Sequence, residues 1–241
     1  MIFDLLKDLN KDCNFTNDIQ ESNYIEGNNK KSIHKKDNFY PNFIKCILSE
    51  FDPLCNTIDE KEKKIYTSQK IMEICSLIDE SEEYFKNYNF HRLFKSRTIQ
   101  QGLQQFEKNI NHISSIYYLN EYYKRHFVIV YENIAYHTCI KDYPKIYLRF
   151  DNHKVKVLNE GEYPVQNLKL LYEKLNHKLI DDVKRDIKGI YNLHLEAISK
   201  YKLDDLKKIA GECNISLKDS KGKNKNKSTL YDEINMYKLN N

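Results

Sequence analysis

Apolar residues recur at intervals of three and four through most of the first half of this chain, and that spacing predicts helices. Phe43, Ile44, Ile47, Leu48 and Phe51 share one face of a helix closed by Pro53. A second helix is predicted over residues 59–79, with Ile65, Ile71, Ile74, Cys75 and Ile78 inward. A shorter third covers residues 81–94. A fourth runs over residues 98–124, where Ile99, Leu103, Phe106, Ile110, Ile113, Tyr117 and Tyr122 keep helical spacing. Ahead of these, residues 1–13 read as a short helix with Ile2, Leu5, Leu6 and Leu9 on one side. Residues 14–39, rich in Asn, Ser, Lys and Glu and without a period, read as a flexible linker.

The pattern changes after residue 125. HFVIVY, IAYHTCI, KIYLRF and KVKVL are short β-branched or aromatic runs separated by ENI, KDYP and DNH, which is turn material. They predict three or four antiparallel strands in a meander between Phe127 and Leu158, with Asp151–Asn152 as the clearest hairpin turn. Gly161 and Pro164 then open a long helical pattern through Leu168, Leu171, Leu175, Leu179, Val183, Ile187, Ile190 and Leu193, which Gly189 bends or breaks. The expected class is therefore α+β: a mainly helical N-terminal half, a small antiparallel meander, a long helix or helix pair, and a C-terminal helix–loop–helix module. Residues 40–197 form the α+β domain and residues 198–241 the module.

Composition narrows the function classes. At 40% hydrophobic and 31% charged, with 19 Tyr and 11 Phe, the chain has material for a core but is polar for a globular protein. MIFDLLKDL carries Asp4 and Lys7 where a signal peptide needs an apolar stretch, and no run approaches the ~20 apolar residues of a membrane span. The expectation is an intracellular protein without a membrane partner. The six scattered cysteines lack any CxxC pair and read as buried thiols. The lack of Trp and the abundance of Lys, Asn, Ile and Tyr suggest an AT-rich genome.

Dividing the net charge of +4 changes the picture. Residues 198–241 hold ten Lys against six Asp and Glu, while the preceding residues hold 29 basic and 29 acidic groups. All of the excess charge is C-terminal, which uniform codon bias does not produce. Within that segment Leu203, Leu206, Ile209, Ala210 and Cys213 define a helix face, and Ile215 and Leu217 a short apolar extension. The loop KDSKGKNKNK follows, with five Lys and one Asp. Ser228 or Thr229 is then the expected N-cap, with Asp232 completing a box, and Leu230, Ile234 and Tyr237 the inward face of a second helix.

This order of residues resembles the SAP motif, a short helix–extension–helix DNA-binding module. Leu203, Leu206, Lys207, Ile209, Ile215, Gly222, Lys223, Lys227, Leu230 and Ile234 occupy the places of its pattern, over less than a fifth of the chain. The loop is longer and richer in Asn and Lys than is usual. Similar modules end proteins of nucleocytoplasmic large DNA viruses, so the resemblance implies a viral protein of host cytoplasm, nucleus or virion, and DNA as partner. The physics points the same way, because phosphate attraction needs cations displayed without local neutralisation. The candidate contacts are Lys207, Lys208, Lys218, Lys221, Lys223, Lys225, Lys227, Ser228 and Thr229. No Arg, Asn or Gln constellation for reading base edges accompanies them, which predicts backbone-dominated binding of low sequence selectivity.

Two other classes compete. The module is alternatively a helical hairpin that docks on protein, in a structural or virion component, and residues 40–197 are a body for a protein partner. The third reading is a cysteine hydrolase using Cys55 and His126, since His126 starts a strand as catalytic histidines of papain-like folds do. Cys55 lacks the Gly- or Gln-containing surroundings of such nucleophiles, and a strand-starting His beside a buried Cys is the simpler account. His137 and Cys139 stand two apart, but no second pair at ligand spacing accompanies them for zinc. Tyr117, Tyr118, Tyr122 and Tyr123 fit a core better than a base-stacking platform. No cofactor motif is present.

Overall fold

The first helix owes its position to one unbroken apolar face. In a computed structural model, which describes residues 39–80, 82–92, 94–108, 112–152, 154–159, 165–179 and 187–241, α1 (Phe39–Phe51) buries Phe39, Tyr40, Phe43, Ile44, Ile47 and Leu48. The expected N-terminal helix and most of the linker, residues 1–38, lie outside the described residues. Phe39, placed at the linker's end by sequence, is a buried member of α1. Asp52 and Pro53 stop the helix: Pro53 starts a short 3-10 turn (Pro53–Asn56), and the Asp52 carboxylate accepts from the Leu54 N–H at 3.2 Å.

α2 (Glu60–Glu80) begins where the Asp59 carboxylate accepts from the backbone of Lys61 and Glu62, both at 2.8 Å. Ile71, Ile74, Cys75 and Ile78 are buried as the spacing predicts, but Ile65 is 63% exposed, because it falls off the buried stripe that Thr67, Ile71, Ile74 and Ile78 define. The third predicted helix shrinks to α3 (Glu82–Asn87). The fourth splits into α4 (Ser96–Gln104), a 3-10 turn (Phe106–Lys108) and α5 (His112–Tyr123). A 3-10 turn also places residues three apart on one side, so the apolar rhythm runs on while the helix breaks.

The five strands are β1 (His126–Tyr131), β2 (Ile134–His137), β3 (Lys145–Asp151), β4 (Lys154–Val157) and β5 (Asn176–Leu179), in the spatial order β4-β3-β1-β2-β5. The class is α+β, but the sheet is not the predicted antiparallel meander. β1–β2 and β3–β4 are antiparallel hairpins, whereas β3 returns to the other side of β1 and pairs with it in parallel. The cause is legible in β1, whose Phe127, Val128, Ile129 and Val130 are all buried. A strand buried on both faces belongs in the middle of a sheet, with neighbours on both sides. Phe127 and Ile129 join the large core under α1, α2, α4 and α5. Val128 and Val130 face the opposite side, with Leu158, Leu171, Tyr172 and Leu175.

The long helix predicted after Pro164 is also corrected. α6 (Val165–Lys174) ends at Leu175, and the next four residues form β5, parallel to β2 along its outer edge. Helical periodicity across Leu175 and Leu179 loses to the free edge of β2, which offers a row of unpaired backbone groups. α7 (Ile187–Ile190) is a single turn. The hairpin turn at Asn152 stands as predicted, with Asp151 paired to Lys154 and Asn152 at φ 48°. Among the described residues, no helix is long and apolar enough to cross a membrane.

Candidate nucleic-acid interface

Two helices and a turn make the C-terminal module: α8 (Leu203–Glu212) and α9 (Lys227–Asn240). Leu206 and Ala210 of α8 meet Leu230, Tyr231 and Ile234 of α9 in a small core of their own. α8 is started by half of a capping box, in which the Lys202 N–H donates to the Asp205 carboxylate at 2.7 Å. Leu193 and Leu195 pack on this core from before the predicted boundary, so the apolar unit starts earlier than residue 198.

The basic loop is an ordered turn. Lys218 bridges Asn224, the Lys225 N–H donates to the Leu217 carbonyl at 2.9 Å, and the Asp219 N–H donates to the Lys223 carbonyl at 2.8 Å. The Asp219 carboxylate accepts from the backbone N–H groups of Lys221 and Lys223, both at 2.9 Å. Gly222 closes the turn at φ +76°, where a side chain would be strained although there is space for one. Asp219, the single acid among five lysines, is thus held by backbone amides instead of a lysine side chain. Lys218, Lys221 and Lys223 stand exposed, without an acidic partner among the described residues.

The other candidates differ. Lys225 is already paired, its ammonium 2.6 Å from the Glu233 carboxylate and its side chain only 12% exposed. Lys207 is paired to Asp204 at 2.8 Å across one exposed turn of α8, an easily broken contact. Lys208 is exposed, and Lys227 half-buried, at the first position of α9. Ser228 and Thr229 are not the N-cap. Asn226 is, and its side-chain oxygen accepts from both the N–H and the hydroxyl of Thr229 at 2.9 and 3.0 Å. Asn is as good a cap as Ser, and Lys227 can open a helix, so the residue two or three places earlier was the better choice.

The far end of α9 faces the domain. The Asn235 side-chain oxygen accepts from the N–H groups of His194 and Leu195 at 2.9 and 3.0 Å, and the Tyr231 hydroxyl donates to the Glu196 carbonyl at 2.7 Å. The Asp142 N–H donates to Asn240, and Leu239 joins the large core. Tyr237, predicted inward, is 39% exposed, while Tyr231 and Leu239 take the buried places. The module therefore hangs from the domain by α9 and holds its lysine turn outward.

The remaining candidate residues gain no catalytic arrangement. Cys55 is buried among Asp52, Lys63 and Lys70, and burial followed by the Asp52 charge pushes its thiol up, the opposite of an activated nucleophile. His126 is turned toward β2 instead: its Nε2 lies 3.0 Å from Nδ1 of His137, whose Nε2 lies 2.8 Å from Nδ1 of His177. Both ring nitrogens of His137 are engaged by its neighbours, and β2 ends at that residue, so His137 and Cys139 do not form a pair. No group of three His, Cys, Asp or Glu residues positioned for a metal occurs among the described residues. Tyr117 and Tyr118 are core and Tyr122 and Tyr123 pack against it.

Sequence reasoning missed a second polar cluster. Glu121 is fully buried and meets Lys141 at 3.0 Å, Lys124 at 3.4 Å, and the hydroxyls of Tyr143 and Tyr191 at 2.7 and 2.6 Å. Nothing in the spacing of these residues brings them together, since three separate elements supply them. No protein-family model matches the chain, and neither a curated protein nor a solved structure matches it.

Proposed function

We propose that this chain is a non-enzymatic nucleic-acid-associated protein that grips the phosphate backbone, of DNA first, through its C-terminal module and with little sequence selectivity. The observation that carries the reading is the pinned turn. Lys218, Lys221 and Lys223 project from a backbone fixed by Asp219 and Gly222, and no carboxylate neutralises them among the described residues. A backbone already fixed loses no further freedom when its lysines meet phosphates, and each contact releases condensed counterions. The order helix, ordered turn, helix is that of the SAP-like pattern, and membership of that group and a large-DNA-virus origin belong to the same proposal.

A specific observation favours a second reading, docking on protein. Leu203, Leu217 and Tyr237 are each more than a third exposed on the module, apolar side chains that a protein partner would cover. The two readings separate in the full-length protein. Lys218→Ala/Lys221→Ala/Lys223→Ala should flatten the dependence of log K on log salt by about 0.9 per engaged lysine, and weaken unrelated duplexes alike. Deleting the module is the poorer test, because it strips Leu239 from the core of the domain. Duplex binding that ignores salt, or an unchanged slope in the triple variant, removes the nucleic-acid reading.

A further inference from the structure

Alternation along β3 and β4 decides which way the charges of this hairpin point, but not their sign. Val155 and Val157 pack on the large core under α1, so Lys154 and Lys156 point to the opposite face of the sheet. Leu158, two residues beyond Lys156, joins Val128 and Val130 on that outer face. Arg149 is the register partner of Lys156, and Asp151 that of Lys154, so both share it. Lys145, four residues before Arg149 on the same strand, does too. Residues 145–157 thus send four basic side chains and one acid outward. They do so in a body whose first 197 residues balance 29 basic against 29 acidic groups.

A surface that only meets water intersperses the two signs. Asp151 opposite Lys154 follows that rule. Arg149 opposite Lys156 breaks it, because like charges directly across a ladder repel and weaken the pair. Lys154 and Lys156 are exposed, and neither has an acidic partner among the described residues. Their strand is the edge of the sheet, and α6 covers this face farther along, where Tyr172 stacks on Tyr147. An open basic strip suits an extended polyanion better than a small ligand, which needs a concave site. The strip is also within reach of the lysine turn. The Asp142 N–H donates to Asn240, so α9 ends three residues before β3 begins. One length of α9 and about half of β3, with their short connections, put the two basic sites at most roughly 55 Å apart. That is less than the length of a duplex of about 20 base pairs.

We propose that the outer face of the β3–β4 hairpin is a second contact for a nucleic-acid phosphate backbone, made by Lys154, Lys156 and Arg149. The inference rests on the function proposed above, since the lysine turn brings the same polyanion to the same molecule, and two linked contacts bind more tightly than either alone. The test is titration of the full-length protein with a duplex of about 20 base pairs at several salt concentrations. Lys154→Ala/Lys156→Ala should flatten the dependence of log K on log salt by up to about 1.8 and weaken binding several-fold at low salt. Lys61→Ala/Lys108→Ala, which removes two exposed lysines elsewhere on the domain, should match wild type. Lys156→Glu turns the like pair with Arg149 into an opposite one, so it should weaken binding while the protein melts no earlier than wild type. That variant separates a lost contact from a lost fold. An unchanged slope in Lys154→Ala/Lys156→Ala, or an equal loss in Lys61→Ala/Lys108→Ala, overturns the inference. If Lys218→Ala/Lys221→Ala/Lys223→Ala still flattens the slope, the function proposed for the module stands without it. Absence of duplex binding by wild type overturns both, and polyglutamate binding that depends on Lys154 and Lys156 then assigns the strip to an acidic protein.

Discussion

Tyr191 donates a 2.6 Å hydrogen bond to the carboxylate of Glu121, 70 residues earlier in the chain. That carboxylate is fully buried, and the ammonium of Lys141, itself 8% exposed, lies 3.0 Å away and 4.8 Å from the centre of the Tyr191 ring. Burial, and after it the Glu121 charge, pushes the Tyr191 hydroxyl well above its ordinary range, so it stays a donor. The cluster fastens the end of α5 and the loop after β2 to the segment leading into the module.

Its parts are unequal. Lys141→Met leaves a buried carboxylate without its main counter-charge and should cost about 3–5 kcal/mol. Tyr191→Phe removes one charge-assisted hydrogen bond but keeps the stacking on Phe90, and should cost about 1.5–3 kcal/mol. Urea unfolding of the two variants measures the order. Equal losses would mean that the ion pair does not organise the cluster.

Asn235 sets a second joint. Asn235→Leu would leave the N–H groups of His194 and Leu195 without their acceptor, and the Leu195 N–H is buried. Each orphaned buried donor costs about 1–3 kcal/mol, so a loss of roughly 2–4 kcal/mol is expected for the pair. Hydrogen exchange should quicken at these two amides before it quickens in the sheet. Unchanged protection there would show that the module is held by other contacts.

These joints explain which parts of the fold could be read from sequence. α1 has one partner surface, and its Phe43, Ile44, Ile47 and Leu48 announced it. α9 has two, one against α8 and one against the domain, so its buried set mixes Leu230 and Ile234 with Tyr231, Asn235 and Leu239. No single stripe describes that set, and Tyr237 was misplaced for this reason. The parallel pairing of β1 with β3 was hidden because it depends on which edge of β1 the chain returns to, although the unbroken apolar run of β1 was the available clue. The lysine turn was visible as composition. That Asp219 serves its backbone and Lys225 serves Glu233 required the geometry.

The histidine row makes stability depend on pH. Burial first, then the neighbouring histidine and Lys145, hold His126 and His137 down to about 4, against an ordinary 6.5. Above pH 6.5 both rings are neutral in either state and stability is complete. As pH falls toward about 4 the unfolded chain takes up protons that the folded chain refuses, so stability drops, by at most about 1.4 kcal/mol per unit for each ring. His137→Gln removes one such ring and relieves His126 of its charged neighbour, and should make the decline between pH 6.5 and 4 shallower. Thermal melts across that range decide it. A variant whose decline parallels wild type would assign the acid sensitivity to other groups.

Asp219 offers the sharpest test of the lysine turn, because its charge and its geometry can be separated. Its carboxylate pins the N–H groups of Lys221 and Lys223, and it also places one negative charge among the exposed lysines. Asp219→Asn keeps a side-chain oxygen to accept the two amides and removes the charge. If phosphates sit over this turn, the substitution should tighten duplex binding several-fold at low salt, with the gain shrinking as salt rises. Asp219→Ala removes the same charge but releases the turn, so its backbone must be refixed on binding, at a cost of about 1–2 kcal/mol for each residue ordered. It should therefore bind less tightly than Asp219→Asn, and the difference between the two measures what the pinned geometry contributes. Glu233→Gln is the companion change, since it frees the Lys225 ammonium and should add salt dependence approaching one further contact. Titrations of one duplex against the three variants at two salt concentrations read all of this. If Asp219→Asn binds as wild type does at low salt, no phosphate lies near Lys218, Lys221 and Lys223, and the exposed Leu203, Leu217 and Tyr237 become the surface to test against protein.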